Sequence, residues 1–338
     1  MTIARDTPPM EAKLTDTIPQ GEGWQFEPKW DGFRCLAFRD GEEVSLMSKS
    51  GKPLARYFPE IVDALLRLKQ KRFVLDGELV LPVGEALSFA ALQMRLHPAA
   101  SRVARLARET PAQLMLFDCL QLGAKDLSSK PLAERREALE DFMADASSAR
   151  LLLSPVTTDR KVAERWFAHT GGALDGIVAK RLDQPYQPGE RAMIKVKQQR
   201  TVDCVVGGYR LSGKKVGSLL LGLYDAEGKL NYVGYTSSFS SEDRAALLPT
   251  LEPLQGESAF TGNSPGGPSR WSNGRSTEWV ALKAKLVVEV GYDQVTGQRF
   301  RHGTTFVRWR PDKAPRQCTM GQLEHELRPA ALAEFLAT

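Results

Sequence analysis

Glu27-Pro-Lys-Trp-Asp-Gly-Phe-Arg34 decides how this 338-residue chain is best interpreted. Within six residues the stretch places a lysine, a carboxylate and an arginine beside a glycine turn, a composition that by itself is typical of a plain surface turn. Similar charged segments end later apolar runs: Leu75-Asp-Gly-Glu-Leu79, Leu174-Asp-Gly-Ile-Val-Ala-Lys180 and Lys195-Val-Lys197. Because charged groups at the ends of separate strands can converge on one pocket, this order of segments predicts a single active site.

The first 200 residues mix strand-like and helical patterns. Apolar, β-rich runs predict strands at Cys35–Phe38, Val44–Met47, Phe73–Leu81, Gln113–Leu120 and Gly176–Ala179. Helical periodicity predicts helices over Tyr57–Leu68 and Pro131–Met143. Beyond residue 200 one helix, Ser241–Leu251, interrupts short strands at Asp203–Tyr209, Ser218–Tyr224, Leu230–Tyr235, Leu286–Tyr292 and Thr304–Trp309. Five strands at this spacing are typical of a small closed barrel of the OB kind.

The boundary between two domains, 1–199 and 200–338, is predicted where the strand-only pattern begins. The net charge of +5 lies wholly in the second part, because residues 1–194 hold 27 basic and 27 acidic side chains whereas residues 195–338 hold 19 and 14. A basic region favours a polyanionic partner such as nucleic acid, although an excess of this size is also typical of a solvated face. The Gly/Pro/Ser/Asn-rich stretch Gly256–Ser276 predicts a long surface loop.

Composition excludes several classes of protein. Hydrophobic residues make up 42% of the chain and charged residues 26%, which is typical of a globular protein. No apolar run approaches the ~20 residues of a membrane span, and the N-terminus lacks the apolar core of a signal peptide. Four scattered cysteines without a C-x-x-C pair argue against a disulfide scaffold or a thiolate zinc cluster and fit a reducing cytosol. With four histidines, no histidine metal site is predicted.

Taken together, the motifs resemble those of covalent nucleotidyltransferases, specifically the ATP-dependent DNA ligases, over nearly the whole chain. Lys29-Trp-Asp-Gly-Phe-Arg34 is similar to the K-x-D-G-x-R nucleophile motif, and Leu75–Leu79 to the D-G-E motif. The further matches are Met115-Leu-Phe-Asp118 with the adenine-stacking strand, Leu174–Lys180 with E-G-x-x-x-K, Lys195-Val-Lys197 with K-x-K and Arg308-Trp-Arg-Pro-Asp-Lys313 with R-x-D-K. Two stretches of the predicted barrel, Cys204-Val-Val-Gly-Gly-Tyr-Arg210 and Gly217-Ser-Leu-Leu-Leu-Gly-Leu-Tyr224, resemble most closely the small bacterial C-type ligases associated with end joining.

The resemblance implies an α+β adenylation domain of antiparallel sheets with flanking helices, followed by a five-stranded OB-fold β-barrel. It also implies an enzyme that uses ATP and Mg²⁺, with Mn²⁺ as an alternative metal. Such an enzyme seals nicks between a 5′-phosphate and a 3′-hydroxyl in double-stranded DNA, in repair and end joining. A lysine attacks the α-phosphate of ATP, AMP passes to the 5′-phosphate, and the 3′-hydroxyl displaces AMP.

Lys29 is the nucleophile that the resemblance implies. A free lysine has a pKa near ~10.4, so roughly one in a thousand is deprotonated at neutral pH, and neighbouring cations must favour the neutral form. Lys195 and Lys197 project to one side of a strand because side chains alternate. We expect both beside the α-phosphate, where they lower the pKa of Lys29 and stabilise developing charge. Without the other motifs, two lysines on a strand are typical of a solvated edge.

Asp31 and Asp175 are the carboxylates expected to hold magnesium, which prefers oxygen ligands and keeps several waters. The family usually has glutamate at position 175. The aspartate present here is one methylene shorter, so a contact bridged by water is expected instead of direct coordination.

Five side chains are expected to hold the nucleotide. Glu78 suits a ribose hydroxyl because a carboxylate accepts hydrogen bonds, and Arg34 suits the ribose or the nick phosphate. Phe117 suits stacking on adenine, although an aromatic residue in an apolar run is otherwise typical of core. Glu27 is expected at the adenine amino group, which favours ATP over GTP. Lys180, the last residue of the E-G-x-x-x-K match, completes the nucleotide contacts.

Ser48, Lys49 and Arg56 are expected to grip the 5′-phosphate of the nick. The family often has arginine after the serine, whereas lysine neutralises a phosphate without the bidentate fork. Recognition is therefore expected to be weaker or shared with Arg56. Where the family has tryptophan before the K-x-K lysines, this chain has Met193, which is expected to change packing only.

The segment Arg299–Arg310 interleaves cations with aromatic residues, which suits contacts with bases or phosphates but is also typical of an amphipathic barrel strand. For orientation of the β,γ-phosphates in the first step, the resemblance assigns Arg308, Arg310, Asp312 and Lys313. Because these residues must then leave, the barrel is expected to rotate around Gln198–Val202.

Other functions are compatible with part of this pattern. An RNA ligase or an mRNA-capping guanylyltransferase uses the same lysine chemistry, and a non-catalytic nucleic-acid-binding module can retain a relict pocket. Against the last alternative stand the intact residues Lys29, Asp31, Glu78, Lys195 and Lys197. The expected partners are nicked double-stranded DNA and end-joining proteins such as Ku. We expect a cytoplasmic, nucleoid-associated monomer with no membrane contact.

Overall fold

The computed structural model of the chain describes residues 2–84, 86–144, 146, 148–168, 174–197, 200–266 and 278–323. The chain divides into two compact units between residues 198 and 199. The first unit combines sheets with helices, and the second is mainly β. None of the described helices is long and apolar enough to cross a membrane.

The strands of the first unit are β1 (Ala12–Thr15), β2 (Trp24–Trp30), β3 (Phe33–Asp40), β4 (Glu43–Ser48), β5 (Arg72–Val80), β6 (Pro82–Val83), β7 (Ala86–Leu87), β8 (Gln113–Leu122), β9 (Lys125–Asp126), β10 (Leu151–Leu153), β11 (Leu174–Arg181) and β12 (Met193–Val196). Its helices are α1 (Pro59–Leu66), α2 (Phe89–Met94), α3 (Ala100–Glu109), α4 (Leu132–Ala144) and α5 (Arg160–Ala168).

Two mostly antiparallel sheets form the framework of this unit. A six-stranded sheet has the order β10-β8-β5-β3-β4, with β9 beside β8, and a four-stranded sheet has the order β1-β12-β11-β2. Only β10 with β8 and β1 with β12 run parallel among the described pairs. Helix α1 begins at Pro59, where the missing N–H costs nothing, and buries Ile61 and Leu65 in the core of the larger sheet. The sheets place β2, β5, β8, β11 and β12, which carry the sequence motifs, around one region.

Two glycines of the motifs allow close approach between neighbouring strands. A Cβ atom on Gly32 would lie 2.0 Å from the carbonyl oxygen of Leu79, and one on Gly176 would lie 2.0 Å from that of Val196. Gly176 also has a φ of +139°, which other residues rarely adopt. Only glycine therefore fits after Asp31 and after Asp175.

The second unit consists of β13 (Arg200–Ser212), β14 (Lys215–Tyr224), β15 (Leu230–Thr236), β16 (Val280–Ala281), β17 (Val287–Tyr292), β18 (Val295–Thr296), β19 (Arg299–Phe300) and β20 (Thr305–Trp309), with helix α6 (Ser241–Leu251). Five strands follow the order β15-β14-β13-β17-β20, all antiparallel, and short β16 pairs with β13. Their buried side chains, among them Val205, Leu221 and Val288, form one core.

The predicted strands and the helix at Ser241–Leu251 are confirmed. The helix predicted over Tyr57–Leu68 is shorter, because the residue before Pro59 is disfavoured from helical geometry. Helices α2 and α3 were not predicted. The predicted loop Gly256–Ser276 contains neither helix nor strand up to residue 266, and its remaining residues lie outside the described part of the chain.

Candidate active site

The first unit contains a cavity of about 210 Å³. Strands of both sheets that carry the sequence motifs line it, together with the N-terminal segment Pro9–Ala12. Side chains from distant parts of the sequence meet there, as the strand-end motifs predicted. The predicted site residues that line the cavity are Glu27, Lys29, Arg34, Lys49, Glu78, Phe117, Lys180 and Lys195.

Lys29, which lines this cavity, shares one carboxylate with Lys197. Strand β11 lies between β2 and β12, which brings Asp175 of β11 between Lys29 of β2 and Lys197 just beyond β12. The Nζ atoms of Lys29 and Lys197 lie 2.6 and 2.8 Å from the same oxygen, Oδ2 of Asp175. The carboxylate predicted to bind metal is thus an ion-pair partner of two lysines.

The charges of this group alter its proton affinities. Burial opposes the ionisation of Asp175, but the ammonium groups of Lys29 and Lys197 outweigh it and hold the pKa of Asp175 below its ordinary value. Burial lowers the pKa of Lys195, and the nearby charges of Lys29, Lys197 and Lys49 lower it further. Such a concentration of positive charge suits an anionic ligand, because an anion relieves the repulsion.

Glu27 and Lys180 form a buried ion pair, with Nζ of Lys180 2.9 Å from Oε1 of Glu27. The same oxygen accepts a hydrogen bond of 2.8 Å from Nε2 of Gln25, which sequence reasoning missed. Lys180 and Arg34 also lie over the ring of Phe117, at 4.5 and 4.7 Å from its centroid. Since Phe117 is only 7% exposed, adenine can stack on it only if one of these cations withdraws.

Arg34 is held by Asp76 in a buried network. Nε and Nη2 of Arg34 donate to the two oxygens of Asp76, each over 2.6 Å. The Tyr186 hydroxyl donates to Oδ2 of Asp76 over 2.7 Å and accepts from the Met10 N–H over 2.9 Å. Sequence reasoning gave Asp76 and Tyr186 no role, although Asp76 stands in the D-G-E motif within an apolar run.

Glu78 titrates close to neutral pH. Burial raises the pKa of Glu78 to about 7, against the opposing charges of Arg34 and Lys29, and the carboxylates of Asp31 and Asp76 add to the rise. Both the protonated and the ionised form of Glu78 are therefore populated at the wall of the cavity under physiological conditions.

A second cavity, of about 830 Å³, shares Arg34, Lys49 and Glu78 with the first. Phe33, Leu54, Tyr57 and Leu96 contribute its apolar walls, and all three predicted phosphate-binding residues line it: Ser48, Lys49 and Arg56. Nζ of Lys49 lies 3.0 Å from Oε2 of Glu11, and Arg56 donates to the carbonyl oxygen of Pro98 over 3.0 Å. The residues predicted to bind phosphate are thus brought together beside the first cavity.

The predicted C-terminal residues form a cluster of their own in the second unit. Arg310 lies 2.9 Å from Oδ1 of Asp203, and Lys313 lies 2.6 Å from Oδ2 of the same carboxylate. Arg310 also binds Asp312 over 2.9 Å and lowers the pKa of Asp312 to about 2. Arg308 pairs with Glu289 over 2.7 Å. Asp203, the centre of the cluster, was not predicted.

Asp31 and Asp175, the predicted metal ligands, fit a hydrated magnesium ion better than a fully protein-ligated one. Neither lines the first cavity itself, but Asp175 contacts Lys29, which does. Among the described residues, no three His, Cys, Asp or Glu side chains converge into a metal-binding group. Magnesium commonly binds through one or two carboxylates, with phosphate oxygens and water completing its shell. Asp31 and Asp175 supply suitable oxygen donors.

Known proteins resemble this chain over most of its length. Residues 9–197 match the ATP dependent DNA ligase domain, and residues 212–313 match the ATP dependent DNA ligase C terminal region. The chain is 49% identical to DNA ligase C2 of Mycolicibacterium smegmatis over 94% of both chains. It is 32% identical to the multifunctional non-homologous end joining protein LigD of Mycobacterium bovis, over 86% of this chain and 37% of that protein. A solved Lig E DNA ligase shares the fold, with a TM-score of 0.56 at 17% identity over 89% of this chain and 99% of that one. The predicted fold class is confirmed.

Proposed function

This chain belongs to the ATP-dependent DNA ligase family, and from that premise we propose that Lys29 is the side chain that carries AMP. In the first step, neutral Nζ of Lys29 attacks the α-phosphorus of ATP. A P–N bond forms, the bond to the bridging oxygen breaks, pyrophosphate leaves, and the amine proton passes to solvent or phosphate. An oxygen of the DNA 5′-phosphate then attacks the same phosphorus and releases Lys29. Finally the 3′-hydroxyl attacks the 5′-phosphorus and expels AMP.

The shared carboxylate is the observation that carries this proposal. Asp175 needs one positive charge for balance, but two lysines contact it, at 2.6 and 2.8 Å. Lys29 can therefore give up its proton and leave while Lys197 continues to neutralise the buried carboxylate. No buried charge is left without a counter-charge when Lys29 becomes neutral. This lowers the free-energy cost of producing the nucleophilic amine. Lys195, beside them, supports the developing charge at the α-phosphate.

Nucleotide recognition is proposed for the cavity around Phe117. Adenine stacks on Phe117 after Lys180 shifts toward the phosphates, Glu27 meets the adenine amino group, and Arg34, held by Asp76, faces the ribose. Glu78 accepts a ribose hydroxyl. The buried pair of Glu27 with Lys180 supports this assignment. When Lys180 withdraws from the ring, the carboxylate of Glu27 can accept a hydrogen bond from the amino group of adenine.

A bound magnesium ion would neutralise part of the negative charge of the triphosphate. We assign Asp31 and Asp175 to hold it as a hydrated ion, with Mn²⁺ as an alternative, because Asp175 contacts Lys29 over 2.6 Å and Asp31 stands two residues after Lys29 in the sequence. Their part in the reaction is to bind and orient this ion beside the reacting phosphate.

Nicked double-stranded DNA is the proposed polynucleotide substrate in the cell, with the 5′-phosphate held by Ser48, Lys49 and Arg56. These residues line a cavity that adjoins the Lys29 pocket, which supports a path from nick to nucleophile. The similarity to LigD, named for non-homologous end joining, supports a role with Ku-type partners. A monomeric, nucleoid-associated enzyme in the cytoplasm completes the proposal.

In the second unit, Arg308, Arg310, Asp312 and Lys313 are proposed to orient the pyrophosphate portion of ATP in the first step only. The triphosphate carries the most negative charge of the reaction, whereas nick sealing has no pyrophosphate to orient. Arg310 and Lys313, which share Asp203, can exchange that carboxylate for phosphate oxygens, which supports the assignment.

The test is intact-mass measurement after the protein is mixed with ATP and magnesium, followed by peptide mapping. One AMP per chain is expected on Lys29, and none on Lys29→Ala. GTP in place of ATP is the matched control and is expected to give no adduct. An adduct on Lys180 or Lys195, or preferential labelling by GTP, would contradict the proposal.

A further inference from the structure

Arg34 bypasses the carboxylate that lies nearest to it across the sheet. In the register of β3 with β5, Arg34 stands opposite Glu78, and such residues have Cβ atoms only ~4.5–5.5 Å apart. Asp76 and Glu78 are two residues apart on β5, so both carboxylates face the side of the sheet that Arg34 occupies. Arg34 nevertheless gives both hydrogen bonds to Asp76, its diagonal neighbour.

Tyr186 makes Asp76 the stronger partner. The Tyr186 hydroxyl donates to Oδ2 of Asp76 over 2.7 Å and is itself fixed by the N–H of Met10. The Asp76 side chain is 0% exposed, so its charge must be compensated by the protein, whereas Glu78 lines the cavity and can meet water or a ligand. Met10 also accepts a hydrogen bond of 3.3 Å from Nη2 of Arg34, which ties the cavity wall to the same network.

We propose that Tyr186 is a positioning residue that holds Arg34 on Asp76 and thereby keeps Glu78 available for a ribose hydroxyl of ATP. The inference rests on the proposed function, in which Glu78 binds the ribose. When the hydroxyl is removed, the Asp76 carboxylate can rotate, and Arg34 can keep one hydrogen bond to Asp76 while its other donor turns the short way to Glu78. A Glu78 paired with Arg34 accepts the ribose hydroxyl less well. The defect then concerns nucleotide recognition and leaves the attack by Lys29 intact.

The test is single-turnover adenylation of Tyr186→Phe with ATP, 2′-deoxy-ATP and 3′-deoxy-ATP. The wild type is expected to need a higher concentration of at least one deoxy analogue than of ATP for half-saturation. In Tyr186→Phe the half-saturating ATP concentration is expected to rise about fivefold, the size of one lost hydrogen bond. The maximal rate with ATP should stay within about twofold of the wild-type value, and so should the half-saturating concentration of that deoxy analogue. Discrimination between the sugars is therefore expected to be largely lost.

Tyr209→Phe is the matched control, because this buried tyrosine of the second unit also has a hydroxyl in a hydrogen bond, 2.7 Å from Nε2 of Gln255. It is expected to retain full sugar discrimination. Asp76→Asn releases Arg34 by a second route and, when its melting curve shows a folded protein, is expected to lose discrimination as Tyr186→Phe does.

Two results would overturn the inference. If Tyr186→Phe weakens all three nucleotides equally or lowers only the maximal rate, Tyr186 has a purely structural role. If the wild type shows no preference among the three sugars, or if Glu78→Gln shows the same preference as the wild type, Glu78 is not the ribose acceptor. Tyr186 then has no ribose acceptor to keep available. Formation of the Lys29 adduct with ATP is measured in the same reactions, so failure of the inference is distinguished from failure of the proposed nucleophile.

Discussion

Asp118→Asn is expected to destabilise the first unit strongly, because it breaks a buried ion pair behind the strand that carries Phe117. The side chains of Asp118 and Arg135 are each 1% exposed, and Arg135 donates to the two carboxylate oxygens over 2.8 and 2.9 Å. Removal of one charge from such a pair costs about 3–5 kcal/mol, since the other is left buried without compensation. Arg135 keeps hydrogen bonds to the carbonyl oxygens of Lys130 and Gln184, so we expect a loss of about 3 kcal/mol.

The assay is equilibrium unfolding in urea, with the transitions of the two units fitted separately. Glu164→Gln provides the control, because its pair with Arg160 on α5 has a similar length, 3.1 Å, but is 42% and 49% exposed. Breaking it should cost about 0.5 kcal/mol or less. Replacement of both Asp118 and Arg135 by leucine should cost less than Asp118→Asn alone, because no buried charge is left unpaired. A cost for Asp118→Asn no larger than that of the control would refute the reasoning.

Three further outcomes are expected. The pKa of Glu78, about 7 against an ordinary 4.5, is raised by folding, so its contribution to stability is complete below pH 4.5 and is lost as the pH rises through 7. Glu78→Gln should therefore melt near the wild-type temperature at pH 5 and above it at pH 8; a constant difference would contradict this. Gly32→Ala forces its Cβ against the carbonyl oxygen of Leu79 and should lower the free energy of unfolding by about 1–3 kcal/mol or more, measured by thermal melting. Asp312→Ala and Lys313→Ala should abolish adenylation by ATP yet seal a pre-adenylated nick within about tenfold of the wild-type rate; equal loss of both activities would show a structural or DNA-binding role instead.

The strands of the site could be predicted because the local pattern of apolar residues indicates that they are buried. Phe73–Leu81 was predicted as one strand and Arg72–Val80 is observed, since an apolar run with few interruptions has to be buried on both faces. The motif glycines were predicted only as turns, and the structure shows that Gly32 and Gly176 also allow close approach of neighbouring backbones. Such patterns located the lysines and carboxylates of the cavity before any packing was known.

Partner choice within the site could not be predicted in the same way. Tyr186 and Asp76 are 110 residues apart, and no periodicity connects them. Asp175 was predicted to bind metal and Lys197 to bind phosphate, yet in the structure they bind each other. Each group needs a counter-charge, but the sequence does not state which of several candidates lies within reach. That choice depends on sheet order, here on the position of β11 between β2 and β12.

The resulting pairs explain how so many charged side chains can lie close together at one site. Buried charges are tolerated only when they are compensated, and here Lys29 and Lys197 share Asp175 while Asp76 balances Arg34. Lysines that share a carboxylate can turn to a phosphate one at a time, because the second keeps the carboxylate paired. Arg34 has no such substitute, since Asp76 is fully buried and would be left uncompensated. The lysines are therefore the groups that exchange partners during the reaction, whereas Arg34 serves as a fixed part of the wall.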